Sequence, residues 1–134
     1  MKLFDLYAQP GMWELPYKLL EERDPVVNIS HKSMPSWTEH CAYVESRPYL
    51  AWYWFATDDG WPAGCVYLSK EREIGIFVLQ EHQRKGLASQ AIQEIMRLHP
   101  GKFLANINPK NKQSLTLFFK LGFDGPIQVT LAYQ

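Results

Sequence analysis

The six residues Gln83, Arg84, Lys85, Gly86, Leu87 and Ala88 combine two mobile cations with a single glycine and the first residues of an amphipathic stretch. That composition suits one kind of chemistry, the holding of an anion. Upstream, Ile74, Ile76, Phe77, Val78 and Leu79 are strand formers. Downstream, Ala88, Ala91, Ile92, Ile95 and Met96 recur at helical spacing. A strand that runs through a glycine turn into a helix leaves several backbone N–H groups unsatisfied at the helix start. Those donors and the positive end of the helix dipole form an anion site. The expected guest is a phosphate or pyrophosphate, hence a nucleotide-like cofactor.

The rest of the chain bounds this reading. One hundred and thirty-four residues suffice for a single domain, 1–134, that buries roughly two thirds of its unfolded surface. Apolar residues are 46% and charged residues 21%, the balance of a folded globular protein. Fourteen basic residues match fourteen acidic ones, so the basic excess of a nucleic-acid-binding protein is missing and no such partner is expected. The amino terminus has no signal-like pattern and no apolar run approaches the ~20 residues that span a bilayer. The expectation is a cytoplasmic protein without a membrane partner. Cys41 and Cys65 are too few for a disulfide framework and the four histidines have no ligand spacing, so no metal is expected.

Breakers and periodicity divide the chain. Residues 2–7 read as a strand and 13–23 as a helix. Ser36-Trp37-Thr38-Glu39 has the form of a capping box and opens a second helix to about residue 46. Strands follow at 49–56 and 63–68, joined by Asp58-Asp59-Gly60, a hairpin turn. A third strand runs over 73–79. A helix from 86 to about 98, a strand at 103–107, a helix at 111–120 and a last strand at 127–133 complete the order β-α-α-β-β-β-α-β-α-β. This predicts an α+β fold with a mixed, mostly antiparallel sheet and helices on its faces.

Two elements carry a family resemblance. Gln83, Gly86 and Ala88 fill the form Gln/Arg-x-x-Gly-x-Gly/Ala. Asn111-Lys112-Gln113-Ser114, followed by Leu117-Phe118-Phe119-Lys120-Leu121-Gly122-Phe123, is similar to a later Asn-x-x-Ala/Ser and Leu-Tyr-x-Lys-x-Gly-Phe element. Together they resemble the GNAT superfamily of acetyl-CoA-dependent N-acetyltransferases. The resemblance implies a splayed strand pair with acetyl-CoA held between. Backbone groups of Phe77, Val78 and Leu79 would pair with the pantetheine arm, and the loop from Arg84 through Lys85, Gly86, Leu87 and Ala88 to Ser89, with Gln83 before it, would hold the pyrophosphate. Asn111, Ser114 and Phe118 would line the second side. An N–H near Val78 or Leu79 would hold the developing oxyanion.

The implied reaction makes two demands. A primary amine, with a pKa near about 10, must lose a proton, and the thiolate must leave. Glu73 stands where the resemblance implies a general base acting through water; its plain alternative is a solvated charge in the run Lys70-Glu71-Arg72-Glu73. The tyrosine of the later element, the usual acid toward the thiolate, is Phe118 here, and a phenyl ring has no proton to give. Water, Ser114 or Tyr133 could substitute, the thiolate could leave unaided, or the domain could bind acyl-CoA without turnover. Tyr133 is the side chain named for the acid role. His31, His40 and His82 read first as ordinary surface or satisfied groups, and Trp52 with Trp54 as core. The expected acceptor is a small-molecule amine, with an amino sugar as the first guess and a peptide amino terminus as the alternative. A homodimer is also expected.

Overall fold

The computed structural model describes residues 1–23, 34–125 and 131–133. Phe4–Asp5 (β1) leads through a 3-10 turn at Pro10–Met12 into helix Glu14–Glu21 (α1), and Trp37–Glu45 forms α2. Strands Ala51–Ala56 (β2), Pro62–Leu68 (β3) and Ile74–Val78 (β4) follow, then a 3-10 turn at Gln80–His82, helix Leu87–Leu98 (α3) and helix Lys112–Lys120 (α4). The four strands pair antiparallel in the order β1-β2-β3-β4.

Local chemistry explains the ends. The Ser36 hydroxyl accepts from the Glu39 N–H at 3.1 Å while the Glu39 carboxylate accepts from the Ser36 N–H at 2.9 Å, so the expected capping box opens α2. The turn between β2 and β3 needs Gly60, whose φ is +89°. Two apolar layers form because strand side chains alternate. Phe55, Val66, Leu68 and Ile74 meet Leu87, Ala91, Ile92 and Ile95 of α3 and Phe118 of α4 on one face. Trp52 and Cys65 meet Leu15 and Leu19 of α1 and Val44 of α2 on the other. The α+β expectation, with helices on both faces, therefore holds. On α3, Leu87 rather than Ala88 belongs to the core.

One element departs from expectation. The segment 103–107 packs Phe103, Ala105 and Ile107 against the core but pairs with the sheet only through a parallel bridge between Leu104 and Glu73. Arg72 clamps its start, donating to the carbonyls of Lys102 and His99 at 2.6 Å each and lying 4.8 Å from the Phe103 ring. Nothing pairs Ala105 or Ile107 with β4, so the segment swings away instead of forming a strand. Of the expected last strand, 127–130 lies outside the described residues, and 131–133 is not in a strand. His31 also lies outside them. Among the described residues no helix is long and apolar enough to cross a membrane.

Candidate functional site

The hydrogen-bond phase of β4 decides which of its backbone groups are available. Ser69 N–H donates to Glu73 O, and Leu79 N–H to Ala63 O, both at 2.8 Å. In an antiparallel ladder, bonded pairs alternate with non-bonded ones. With the register Cys65↔Phe77 and Tyr67↔Gly75, Gly75, Phe77 and Leu79 spend their backbone groups on β3. The N–H and C=O of Ile74, Ile76 and Val78 face the other way. Ile74 N–H reaches Leu104 O at 2.8 Å, and Leu104 N–H reaches Arg72 O at 2.9 Å. Beyond that point no backbone bond joins Ile76 or Val78 to Ala105 or Ile107. The sheet splays there into a cleft of about 910 Å³.

This corrects two expectations. Phe77 and Leu79 do not offer backbone groups to a ligand arm, and the Leu79 N–H is not free to hold an oxyanion. Ile76, unassigned from sequence, and Val78 do face the cleft; Val78 O already accepts from Gln83 Nε2 at 3.1 Å. Leu79 is a core side chain.

At the inner end of the cleft stands the α3 N-terminus. Gly86, with φ +76°, is its cap and no side chain satisfies the first turn. Gln90 makes the first bond back, to Gly86 O at 3.2 Å, which leaves the N–H groups of Leu87, Ala88 and Ser89 without a helical acceptor. Arg84 holds the left-handed conformation too, at φ +64°, a region few non-glycine residues occupy. Arg84, Gly86, Leu87, Ala88 and Ser89 all line the cleft. Lys85 does not; its ammonium lies 3.5 Å from His82 Nδ1.

Across the cleft, Asn111 Oδ1 caps α4 by accepting from Ser114 N–H at 3.2 Å. Its amide nitrogen is the donor left for a ligand. Lys112 and Lys120 add charge along the same wall. Phe118 is buried and meets Phe123 edge-on at 5.0 Å, so it lines the cleft floor as core.

The α1 side of the cleft holds residues that sequence reasoning passed over. Glu73, Gly75 and Phe77 share a face of β4 by alternation. Arg23 lies 4.3 Å from the Phe77 ring, and burial pulls its guanidinium down from the usual range. Glu22 accepts from the Gln80 N–H at 2.9 Å and ties α1 to the bend before the loop. The Tyr67 ring and hydroxyl occupy the space where a Cβ on Gly75 would stand. Burial raises the Tyr67 hydroxyl, and the Arg23 charge opposes that rise. One signal was legible: an isolated glycine inside a strand marks close approach of another group.

Glu73 lines the cleft, its N–H fixed by Ser69 Oγ at 2.9 Å. Tyr133 is fully exposed and does not line the cleft; with no strand holding it, nothing aims its hydroxyl inward. His82 lines the cleft near the loop. His40 is buried with Nε2 2.8 Å from Trp13 O, a satisfied core histidine. Trp52 is core and Trp54 stacks on Phe4, away from the cleft.

A strand edge with spare donors and acceptors, leading to an uncapped helix start, fits a long ligand with an amide-bearing arm and a diphosphate. Residues 13–123 match the Acetyltransferase (GNAT) family. The chain belongs to the GNAT acetyltransferase family. It is thus an acetyl-CoA-dependent N-acetyltransferase by descent. A domain from Methanocaldococcus jannaschii shares its fold at TM-score 0.75 and 20% identity, over 92% of this chain and 87% of that one. The protein yncA from Salmonella typhimurium, solved with its cofactor acetyl-CoA, matches at TM-score 0.66 and 19% identity, over 92% and 80%. Spermidine N-acetyltransferase SpeG from Vibrio cholerae, as the F149A mutant, matches at TM-score 0.73 and 18% identity, over 92% and 80%. No curated protein is significantly similar in sequence.

Proposed function

We propose that this GNAT chain moves an acetyl group from acetyl-CoA to a primary amine of a small molecule by direct attack in a ternary complex. The observation that carries it is the continuous cleft from the open edge of β4, at Ile76 and Val78, to the uncapped start of α3. Acetyl-CoA supplies the activated carbonyl. Ile76 and Val78 add the pantetheine arm as a short extra strand. The N–H groups of Leu87, Ala88 and Ser89, with Arg84, take the pyrophosphate. Ile76 N–H, the cleft-facing donor of β4 farther from the α3 start, polarises the thioester carbonyl.

The acceptor enters from the α1 side. There Glu73 takes the amine proton through a water, leaving a lone pair on nitrogen. A carboxylate in that place also attracts an ammonium group before it is deprotonated. Amino sugars head the acceptor panel, with polyamines, amino acids and a peptide amino terminus beside them. The test is calorimetry with acetyl-CoA, followed by thiol release with that panel. Micromolar binding and release dependent on one amine class support the proposal. Absence of acetyl-CoA binding would remove its basis.

A further inference from the structure

The family resemblance leaves the departing sulfur without its usual acid, because Phe118 is core and Tyr133 lies in solvent. The cleft contains a different hydroxyl. Gly75 has no side chain, and the end of the Tyr67 ring fills that space, so the phenol crosses β4 instead of stopping at β3. It lines the cleft together with Glu73, Gly75 and Arg23.

Tyr67 is not an isolated phenol. Its ring stacks on that of Tyr49, with centroids 3.8 Å apart and planes 4° from parallel. Besides burial, which raises both, Tyr67 pushes the Tyr49 hydroxyl further up and Tyr49 draws the Tyr67 hydroxyl down, as groups within reach of one another do. Tyr49 in turn accepts from the Tyr43 hydroxyl at 3.0 Å. Tyr43 is 41% exposed and reaches solvent. The middle member is held firmly: Tyr49 N–H donates to the Tyr7 hydroxyl at 3.0 Å, the Tyr7 hydroxyl donates back to Tyr49 O at 3.1 Å, and Trp52 meets the Tyr49 ring edge-on at 4.8 Å. Hydroxyl hydrogens rotate to suit their partners, so while Tyr43 donates to Tyr49, Tyr67 is able to turn its own proton into the cleft.

We propose that Tyr67 is the acid that protonates the departing thiolate, and that Tyr49 and Tyr43 replace its proton from solvent. The proposal rests on the acetyl-transfer reading above. The amine lone pair forms the C–N bond and the C–S bond breaks with its electrons on sulfur. Tyr67 gives its hydroxyl proton to that sulfur. Tyr49 reprotonates Tyr67, Tyr43 reprotonates Tyr49, and water reprotonates Tyr43. Glu73 passes the first amine proton to water before attack, then takes the surplus proton left on nitrogen and passes it on likewise; two protons go out, one comes in through Tyr43, and the ammonium charge ends on solvent, so charge and atoms balance. The Arg23 guanidinium steadies the transient phenolate, while Glu73 on the same side opposes it. Tyr67 is then a catalytic residue that composition and spacing hid, and Tyr49 and Tyr43 are its supply line.

The deciding experiment compares Tyr67→Phe with the unaltered chain, using the best amine of the panel. The ring and its stacking remain; only the hydroxyl goes. The expected result is a fall in kcat of roughly 10²-fold, with the calorimetric Kd for acetyl-CoA within about twofold of the unaltered chain. A donor whose thiol is made more acidic by fluorine on the pantetheine arm needs less help, so with it the deficit should shrink. A structural role for the hydroxyl would not show that rescue. Independently of turnover, the carbon-13 NMR signal of the Tyr67 Cζ should move in Tyr49→Phe and, through the chain, in Tyr43→Phe. If Tyr67→Phe does not fold, Tyr49→Phe leaves the Tyr67 hydroxyl in place and carries the same rescue test with a smaller deficit. A Tyr67→Phe chain with unchanged kcat, a deficit equal for both donors, or a Tyr67 signal blind to Tyr49→Phe overturns the assignment alone. An unaltered chain that acetylates no amine overturns it together with the functional proposal.

Discussion

Replacing Gly86 by alanine separates the anion seat from the fold that carries it. Gly86 sits at φ +76° as the cap of α3, and a Cβ built there meets nothing closer than Gln90 Nε2 at 4.0 Å. The change therefore introduces no collision, only the cost of a left-handed alanine, about 1–2 kcal/mol. For a chain of this size that lowers Tm by roughly 3–8 °C. The second effect is on binding. If alanine relaxes toward negative φ, the N–H groups of Leu87, Ala88 and Ser89 turn from the position of the pyrophosphate. Hydrogen bonds to a charged group are worth about 1.5–3 kcal/mol each, so losing one weakens acetyl-CoA by roughly 10- to 150-fold. Calorimetry gives the Kd and a thermal melt gives the stability, on the same sample. Gly86→Asn is the control, since asparagine tolerates the left-handed region and should recover part of both losses. A lowered Tm with an unchanged Kd would refute the assignment of the α3 start as the diphosphate seat.

Glu73→Gln should lower kcat/KM by about 10²–10⁴-fold and flatten its rise with pH; a full-rate variant across pH would dismiss Glu73 as the base. His40 gives a pH dependence of stability. Burial holds its folded pKa below the usual value, against the opposing bond to Trp13 O. Below about 6.5 the unfolded chain binds more protons than the folded one. Stability should therefore fall as pH drops from about 6.5 toward the folded pKa, and denaturant melts of His40→Gln should lose that slope. Ser36→Ala removes the acceptor for the Glu39 N–H and should cost about 1 kcal/mol in the same melts, with acetyl-CoA binding intact.

Much of the site was legible in the chain because its signals are local. Gly86 between two cations and an amphipathic run required a turn with an exposed helix start, whatever the surroundings. Ser36 and Glu39 sit three apart, and their capping box closes within one turn. The β2–β3 hairpin followed from Asp58-Asp59-Gly60 for the same reason. These interactions span a handful of residues, so side-chain chemistry alone determines them.

The tertiary structure decided the remainder. Which N–H groups of β4 face the cleft depends on its ladder phase with β3, and a shift of one residue would have exchanged Ile76 and Val78 for Phe77. The segment 103–107 had strand composition, yet Arg72 holds only its first residues and leaves the rest apart from β4. Phe118 and Tyr133, both candidates for the place beside the thiolate, lie apart, one in the core and one in solvent. Tyr67 reaches the cleft only because the paired position on the neighbouring strand is Gly75. Contacts between residues far apart in the chain arise from register and packing, and no short-range preference in the sequence encodes them.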